Sequence, residues 1–443
     1  MEKNRLLKVK KIENYFNILT KYPFLSLLLI GIGAITIRLI FFQNELIFSS
    51  DNLRYFMYGM DVSLTGELPT WYALQNNGWP LLLSIFFKFL DSENFINFMN
   101  LQSYLTIIFS TVTIIPLYYL AKKFVNTSFA LMTTILFVFE PRIIANSLTG
   151  LTDPLFILLI VTSLALIVQK NKYIICVTFI VISLATIVRS EGLFLIPALC
   201  LMFFLKFKIT KKTILQCIIF LLISVLIILP FSIQRIESTG DDYLVSRIIV
   251  SSSIFSEQTQ NDPNQIFSKI GSSFYIFTGF LGKLMIPYLG IFVPLGIILF
   301  LKGKNIQKLL LIIPGLFLIL PSFYAYTVPA LDSRYLFPIL PILCIFGTFS
   351  CMKYFEKIKY KKILILIMII MIITSSSLFL IYKSNDNEKE QELLELADIV
   401  NKKTDTILYI QKNLVLAYLT TAGLLEVEKF PVVSLDYNKN IVV

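Results

Sequence analysis

The chain alternates long apolar runs with short polar pieces, and the polar pieces carry most of its charge. The runs are roughly 14 to 20 residues long, close to the about 20 residues that a helix needs to cross a bilayer core. These windows predict spans over 24–42, 104–121, 128–144, 154–168, 173–188 and 193–205, then over 214–233, 284–301, 309–324, 335–351 and 363–382. The expectation is an all-α polytopic protein with about eleven transmembrane helices. The stretch 79–90 is shorter and contains Lys88, which fits a re-entrant or interfacial helix better than a span.

Composition agrees with this pattern. Of 443 residues, 56% are hydrophobic and 15% charged, where a soluble domain carries about a quarter charged residues. Histidine is absent, which removes imidazole from any dyad, zinc site or pH switch and leaves acid–base chemistry mainly to carboxylates. Cys176, Cys200, Cys217, Cys344 and Cys351 lie in or beside apolar runs without metal-ligand spacing, as small buried hydrophobes do. Their absence from polar loops argues against a disulfide-stapled outer domain. Six basic residues precede the first apolar run, which reads as a retained signal anchor.

Charge sets the sidedness. With a cytoplasmic N-terminus, residues 1–23, 122–127, 170–172, 206–212, 302–308 and 353–362 face inward and hold 22 Lys/Arg against 3 acids, whereas the remainder holds 17 against 25. Every alternate loop then obeys the positive-inside rule. Basicity spread over six short loops also excludes a nucleic-acid partner, which needs one basic patch or stripe. The expected organisation is a multispan domain over 1–382, with outer loops at 43–103 and 234–283. An extracytoplasmic tail over 383–443 has helix-like and strand-like patterning that suggests a small α/β extension. No internal repeat or glycine-rich phosphate loop occurs.

The polar segment after the first span, Ser49-Ser50-Asp51-Asn52-Leu53-Arg54-Tyr55, puts an acid at the membrane surface. On a helix starting near Ser50, Ser49 or Ser50 is a capping residue, and Asp51 and Tyr55 share a face with Arg54 beside them. By local pattern alone, Asp51 also reads as a solvated acid complementing a helix dipole. Asp153 stands in Leu148-Thr149-Gly150-Leu151-Thr152-Asp153-Pro154, where capping the next span is the plainer role. Glu140-Pro141-Arg142 ends the third span, and an ion pair between Glu140 and Arg142 is an ordinary way to finish a helix. Arg189-Ser190-Glu191-Gly192 and Asp332-Ser333-Arg334-Tyr335 interrupt apolar sequence at the outer boundary. Ionisable residues at membrane depth are costly and often functional. Arginines there also snorkel to lipid headgroups, the role expected of Arg38 in the first span. What favours a site is coincidence: Asp51, Arg54, Arg142, Asp153, Arg189, Glu191 and Arg334 all map to the outer face under a topology derived without them.

Together these pieces resemble the GT-C superfamily of polytopic glycosyltransferases, specifically the family 39 group of protein O-mannosyltransferases and bacterial aminoarabinose transferases. The resemblance rests on Asp51 with Arg54-Tyr55, Trp79-Pro80-Leu81-Leu82-Leu83, Thr152-Asp153-Pro154-Leu155, Arg189-Ser190-Glu191-Gly192, and Arg334-Tyr335 with Pro338 and Pro341. It covers most of the chain. It implies a GT-C-like bundle with outer-face loop helices, a polyprenyl-phosphate-linked sugar as donor, hexosyl or pentosyl transfer on the outer face, and Asp51 as catalytic base. Arg54, Tyr55, Arg142, Asp153, Arg189, Glu191, Arg334 and Tyr335 are the candidate substrate-binding residues. The chain departs from the group in two places: Asn52 follows Asp51 where the mannosyltransferase branch pairs Asp with Glu, and Gly78-Trp79-Pro80-Leu81 stands where Pro-Pro-Leu is usual. The Trp-Trp-Asp signature of oligosaccharyltransferases is missing, which argues against transfer of a whole glycan to asparagine.

The chemistry suits these residue types. A carboxylate takes the proton from an attacking hydroxyl, and fixed guanidinium groups, Arg334 before Arg189 and Arg54, stabilise the departing phosphate. Asp153 either orients the acceptor or joins Asp51 in holding a divalent cation such as Mg²⁺ or Mn²⁺, although the reaction requires no cofactor. The acceptor is a protein, lipid or glycan, and the location an integral one, expected in the plasma membrane. Two other readings share the polytopic build: a transporter or flippase of lipid-linked sugars, and a surface-polysaccharide polymerase or ligase. Transporters often show repeated halves with broken helices at the midplane, whereas here no repeat is visible and the charges gather at the outer boundary.

Overall fold

The computed structural model describes residues 20–44, 51–70, 74, 76–92, 94–242, 246, 262–285, 289–302, 308–327, 331–355, 358 and 361–384. No strand occurs among the described residues, and the chain is an integral membrane protein built from helices. Its first half contains α1 (Pro23–Phe41), α2 (Asp51–Thr65), α3 (Gly78–Phe87), α4 (Phe95–Val112), α5 (Ile114–Ala121), α6 (Thr127–Val138), α7 (Pro141–Ser147), α8 (Asp153–Ile167) and α9 (Lys172–Val188). A 3-10 turn, Ser190–Phe194, leads into α10 (Leu195–Phe207), α11 (Lys211–Thr239), α12 (Pro263–Met285), α13 (Phe292–Lys302) and α14 (Leu309–Thr327). A second 3-10 turn, Ser333–Ile339, precedes α15 (Leu340–Phe355) and α16 (Lys361–Ser384).

Among the described residues, 7 helices are long and apolar enough to cross a membrane, or 8 if α6 and α7, bent by 55° at Glu140–Pro141, form one span. The other three windows appear as the shorter apolar helices α8, α9 and α13. Local chemistry marks the ends. Asn94, Asn126 and Asn171 cap α4, α6 and α9 through side-chain oxygens, and a Thr210–Thr213 capping box opens α11. The core lies around α8 and α15, apolar nearly all round and buried along most of their length, as expected of helices enclosed by others. By contrast, α1, α11 and α16 expose wide apolar faces at the periphery.

Three expectations need correction or limits. The window 284–301 is not one helix: α12 ends at Met285 and α13 begins at Phe292, with Pro287 between them, and a proline disfavours helix at the residue before it. Within the outer segment 234–283, the described residues include the end of α11, which runs on to Thr239, and the amphipathic α12 from Pro263 onward. The tail beyond Ser384 and the capping candidates Ser49 and Ser50 lie outside the described residues.

Arg38 does not snorkel. It is fully buried, with Nε donating to Ser147 Oγ (2.9 Å), Nη2 to Ser110 Oγ (2.9 Å) and Nη1 to the Ala34 carbonyl (3.0 Å). Helix α1 packs on α4 and α6, so this arginine turns inward, where polar partners replace the water it gives up.

Candidate active site

Four segments distant in sequence bring their charged residues together. Asp51 opens α2, where an acid complements the positive end of the helix dipole. Asp153 opens α8, with Pro154 in the first turn. Arg189 terminates α9 in an extended conformation, and Arg334 is the second residue of the second 3-10 turn, whose N-cap is Asp332.

The contacts form two linked sets. In the first, Arg334 Nη2 lies 3.2 Å from Asp51 Oδ2, and its Nε donates to Asp332 Oδ2 at 2.6 Å. In the second, Arg189 pairs through Nη1 with Asp153 Oδ1 and through Nη2 with Glu191 Oε1 at 3.1 Å. Asn146 donates to the other Asp153 oxygen at 3.2 Å, and the guanidinium stacks over the Phe156 ring at 5.5 Å. Burial disfavours the Arg189 charge, but Glu191 and Asp153 outweigh that and hold it well above the ordinary arginine value. Tyr55, buried and hydrogen-bonded to Asn76, stands between the sets within electrostatic reach of Asp51, Arg189 and Asp153. Burial raises its phenol above the ordinary value; Arg189 opposes this and Asp51 adds to it.

The sets differ in access. Asp51 and Arg334 side chains keep 42% and 32% of their surface, whereas Asp153 keeps none. A ligand from outside therefore meets the Asp51–Arg334 pair first, and the Arg189–Asp153 pair lies behind it as a fixed wall.

The remaining candidates are placed differently. Arg54 is exposed on α2 and makes no ion pair to the cluster. Arg142 pairs with Glu140 at 2.9 Å and lies over Phe379, while Glu140 caps α7 through Ile143 N, so these two finish and restart a helix. Tyr335 packs its ring on Tyr326 at 6.3 Å, and Tyr326 donates to the Asp332 carbonyl at 2.9 Å. Both Asp153 oxygens are engaged by Arg189 and Asn146, Asp51 is held by Arg334, and among the described residues no three acidic or cysteine donors converge.

Sequence reasoning missed Asn146 and Gln102, which support the site. Gln102 Nε2 donates to the Gly150 carbonyl (2.8 Å) and to the Asn52 carbonyl (3.2 Å). Trp79 Nε1 also donates to Gly150 O (2.9 Å), which explains the buried tryptophan of α3. The available signal was a polar stripe of Gln102, Thr106 and Ser110 at helical spacing.

A family model described as "Predicted membrane protein (DUF2079)" matches residues 101–413, a region that contains Asp153, Arg189 and Arg334 and begins after Asp51. Among curated proteins, none matches. Similar solved structures include the Archaeoglobus fulgidus oligosaccharyltransferase in complex with Zn and sulfate, at TM-score 0.58 and 14% identity over 86% of this chain and 56% of that one. The same organism's AglB, bound to an inhibitory peptide and a dolichol-phosphate, matches at TM-score 0.56 and 12% identity over 87% and 59%. ArnT from Cupriavidus metallidurans, bound to undecaprenyl phosphate, matches at TM-score 0.51 and 11% identity over 73% and 59%. The chain spans less than two thirds of the length of each of these three structures. At such identities the likeness is one of fold, and the fold is GT-C-like.

Proposed function

The chain belongs to the DUF2079 family of predicted membrane proteins, and we propose that it is a membrane glycosyltransferase that moves a sugar from a polyprenyl-phosphate donor to an acceptor hydroxyl, with Asp51 as general base. The observation that carries this reading is the convergence of a partly exposed carboxylate, Asp51, with a partly exposed arginine, Arg334, on a GT-C-like frame. That AglB and ArnT are seen with dolichol-phosphate and undecaprenyl phosphate supports the donor class.

In this mechanism Asp51 accepts the proton of the acceptor hydroxyl as its oxygen bonds to the anomeric carbon. The bond from that carbon to the phosphate oxygen breaks, and its electron pair leaves with the phosphate. Arg334 receives the growing negative charge through its guanidinium fork. Because Arg334 now holds Asp51, a donor phosphate competes for the same arginine and frees the carboxylate. Arg189 has its charge taken by Asp153 and Glu191, so its part is to hold that wall in place. No step is routed through a metal.

The sorting of charge along α8 supports outward catalysis. Asp153 opens the helix, whereas at its far end Lys206 Nζ donates to the Ile167 carbonyl at 3.0 Å. With the basic loops inside, the Asp51 face is outside.

Reconstitution tests the reading. Pure protein in liposomes, given radiolabelled undecaprenyl-phosphoryl hexoses and a cell-envelope fraction, is expected to release lipid phosphate and label an acceptor. Movement of intact donor between leaflets without release of phosphate would make the protein a flippase.

A further inference from the structure

One neutral side chain touches both strips of backbone that carry the carboxylates. Gln102, fully buried on α4, donates from Nε2 to the carbonyl of Asn52, the residue after Asp51, and to the carbonyl of Gly150, three residues before Asp153. Both partners are carbonyls and can only accept, so the amide nitrogen must face them. Its oxygen, Oε1, is buried and finds no donor among the described residues. A carboxamide whose oxygen finds no donor among the described residues, while both its bonds hold the start of α2 and the turn before α8, is placed for those two bonds.

The rest of α4 repeats the arrangement at greater depth. One turn below, Thr106 Oγ1 donates to the Ser147 carbonyl at 2.8 Å. A turn further, Ser110 Oγ accepts from Arg38, whose Nε donates to Ser147 Oγ. The segment 147–150 is thus pinned to α4 at three levels, and Trp79 adds a second bond to Gly150 O. Gly150 has φ +70, a conformation that side-chain-bearing residues rarely adopt, which turns its carbonyl toward both donors. Only the topmost rung also reaches α2, the helix of Asp51.

We infer that Gln102 is a positioning residue that sets Asp51 relative to Asp153 across the site; as a statement about turnover this rests on the proposed sugar transfer. Reactions that depend on the placement of catalytic groups lose about 100-fold for a misplacement near 1 Å, and side chains that lock a site from behind act in this way.

The test uses the full-length protein in nanodiscs as wild type, Gln102→Leu and Gln102→Glu. The Glu variant keeps the size of the side chain and guards against failure of the Leu variant to fold. Two readouts are taken: kcat and donor KM with radiolabelled undecaprenyl-phosphoryl hexose, and the fluorine NMR line of 5-fluorotryptophan at Trp79. The chain has two tryptophans, and Trp71→Phe assigns the line. The expected result is a fall in kcat of about 30- to 100-fold with donor KM little changed, and a shifted or split Trp79 line as Gly150 O is released. A sharp, unshifted Trp79 line in both variants overturns the inference whether or not the wild type transfers sugar. So does an unchanged kcat in an active wild type. A wild type that transfers nothing while the Trp79 line shifts removes the sugar-transfer reading and leaves the positioning standing.

Discussion

Asp51 Oδ2 lies 3.2 Å from Nη2 of Arg334, a residue 283 positions further along the chain. Both side chains are partly open to solvent, so the contact resembles an exposed ion pair, which contributes about 1 kcal/mol or less to stability. Its significance lies in what each partner does when the other is drawn away. Replacing Arg334 with Gln is expected to lower kcat/KM by about 100- to 1,000-fold, the usual loss for one donor to a transition-state anion, with little change in stability. Arg334→Lys retains the charge without the fork and should fall between. Steady-state kinetics with undecaprenyl-phosphoryl hexose check the order; equal rates in all three proteins would remove Arg334 from the phosphate site.

Tyr55 gives a pH test independent of turnover. Its phenol titrates above the ordinary value, chiefly through burial, with Arg189 opposing and Asp51 and Asp153 reinforcing. A raised folded-state value means that the stabilising neutral form persists below the unfolded phenol value of about 10 and is lost as pH climbs through the higher folded one. Thermal unfolding from pH 8 to 11 should show wild-type stability falling at the alkaline end, and Tyr55→Phe falling less. Parallel curves would contradict this.

The turn that carries Glu191 depends on a close backbone approach. A Cβ added to Gly192 would stand 2.8 Å from the Thr186 nitrogen, too near for any unshifted packing. Gly192→Ala must therefore displace the turn and with it the Arg189–Glu191 pair. The expected outcome is a loss of about 1–3 kcal/mol, typical of overpacking, read by denaturant unfolding in micelles. An unchanged midpoint would mean that the turn has slack.

Ser147 holds a buried charge. Ser147→Ala removes one of three hydrogen bonds to Arg38 and should cost about 1.5–3 kcal/mol, as bonds to charged groups do. Reversible SDS titration measures it, and a loss within about 0.5 kcal/mol, ordinary for surface substitutions, would contradict the buried role of Arg38.

Arg189 and Arg334 were legible in sequence because a charge interrupting apolar sequence stands out, and Asp51 and Asp153 because each stands at the end of a predicted span; the topology alone put all four on one face. The structure also bears out the polytopic, GT-C-like architecture. Gln102 and Asn146 were not legible, because a neutral amide in an apolar window signals nothing until its partners 48 and 7 residues away are known. Arg38 was misread for a related reason: a single-helix pattern does not say which face meets lipid and which meets α4. The window 284–301 starts before α13 because hydropathy averages across Pro287.

The central claim is that Asp51 takes the acceptor proton. Asp51→Asn in proteoliposomes measures it most directly, because the amide keeps the shape of the side chain and cannot serve as a base. The account predicts normal membrane insertion, retained binding of undecaprenyl phosphate, and sugar transfer reduced by about 10²- to 10⁴-fold. Transfer at the wild-type rate would contradict it.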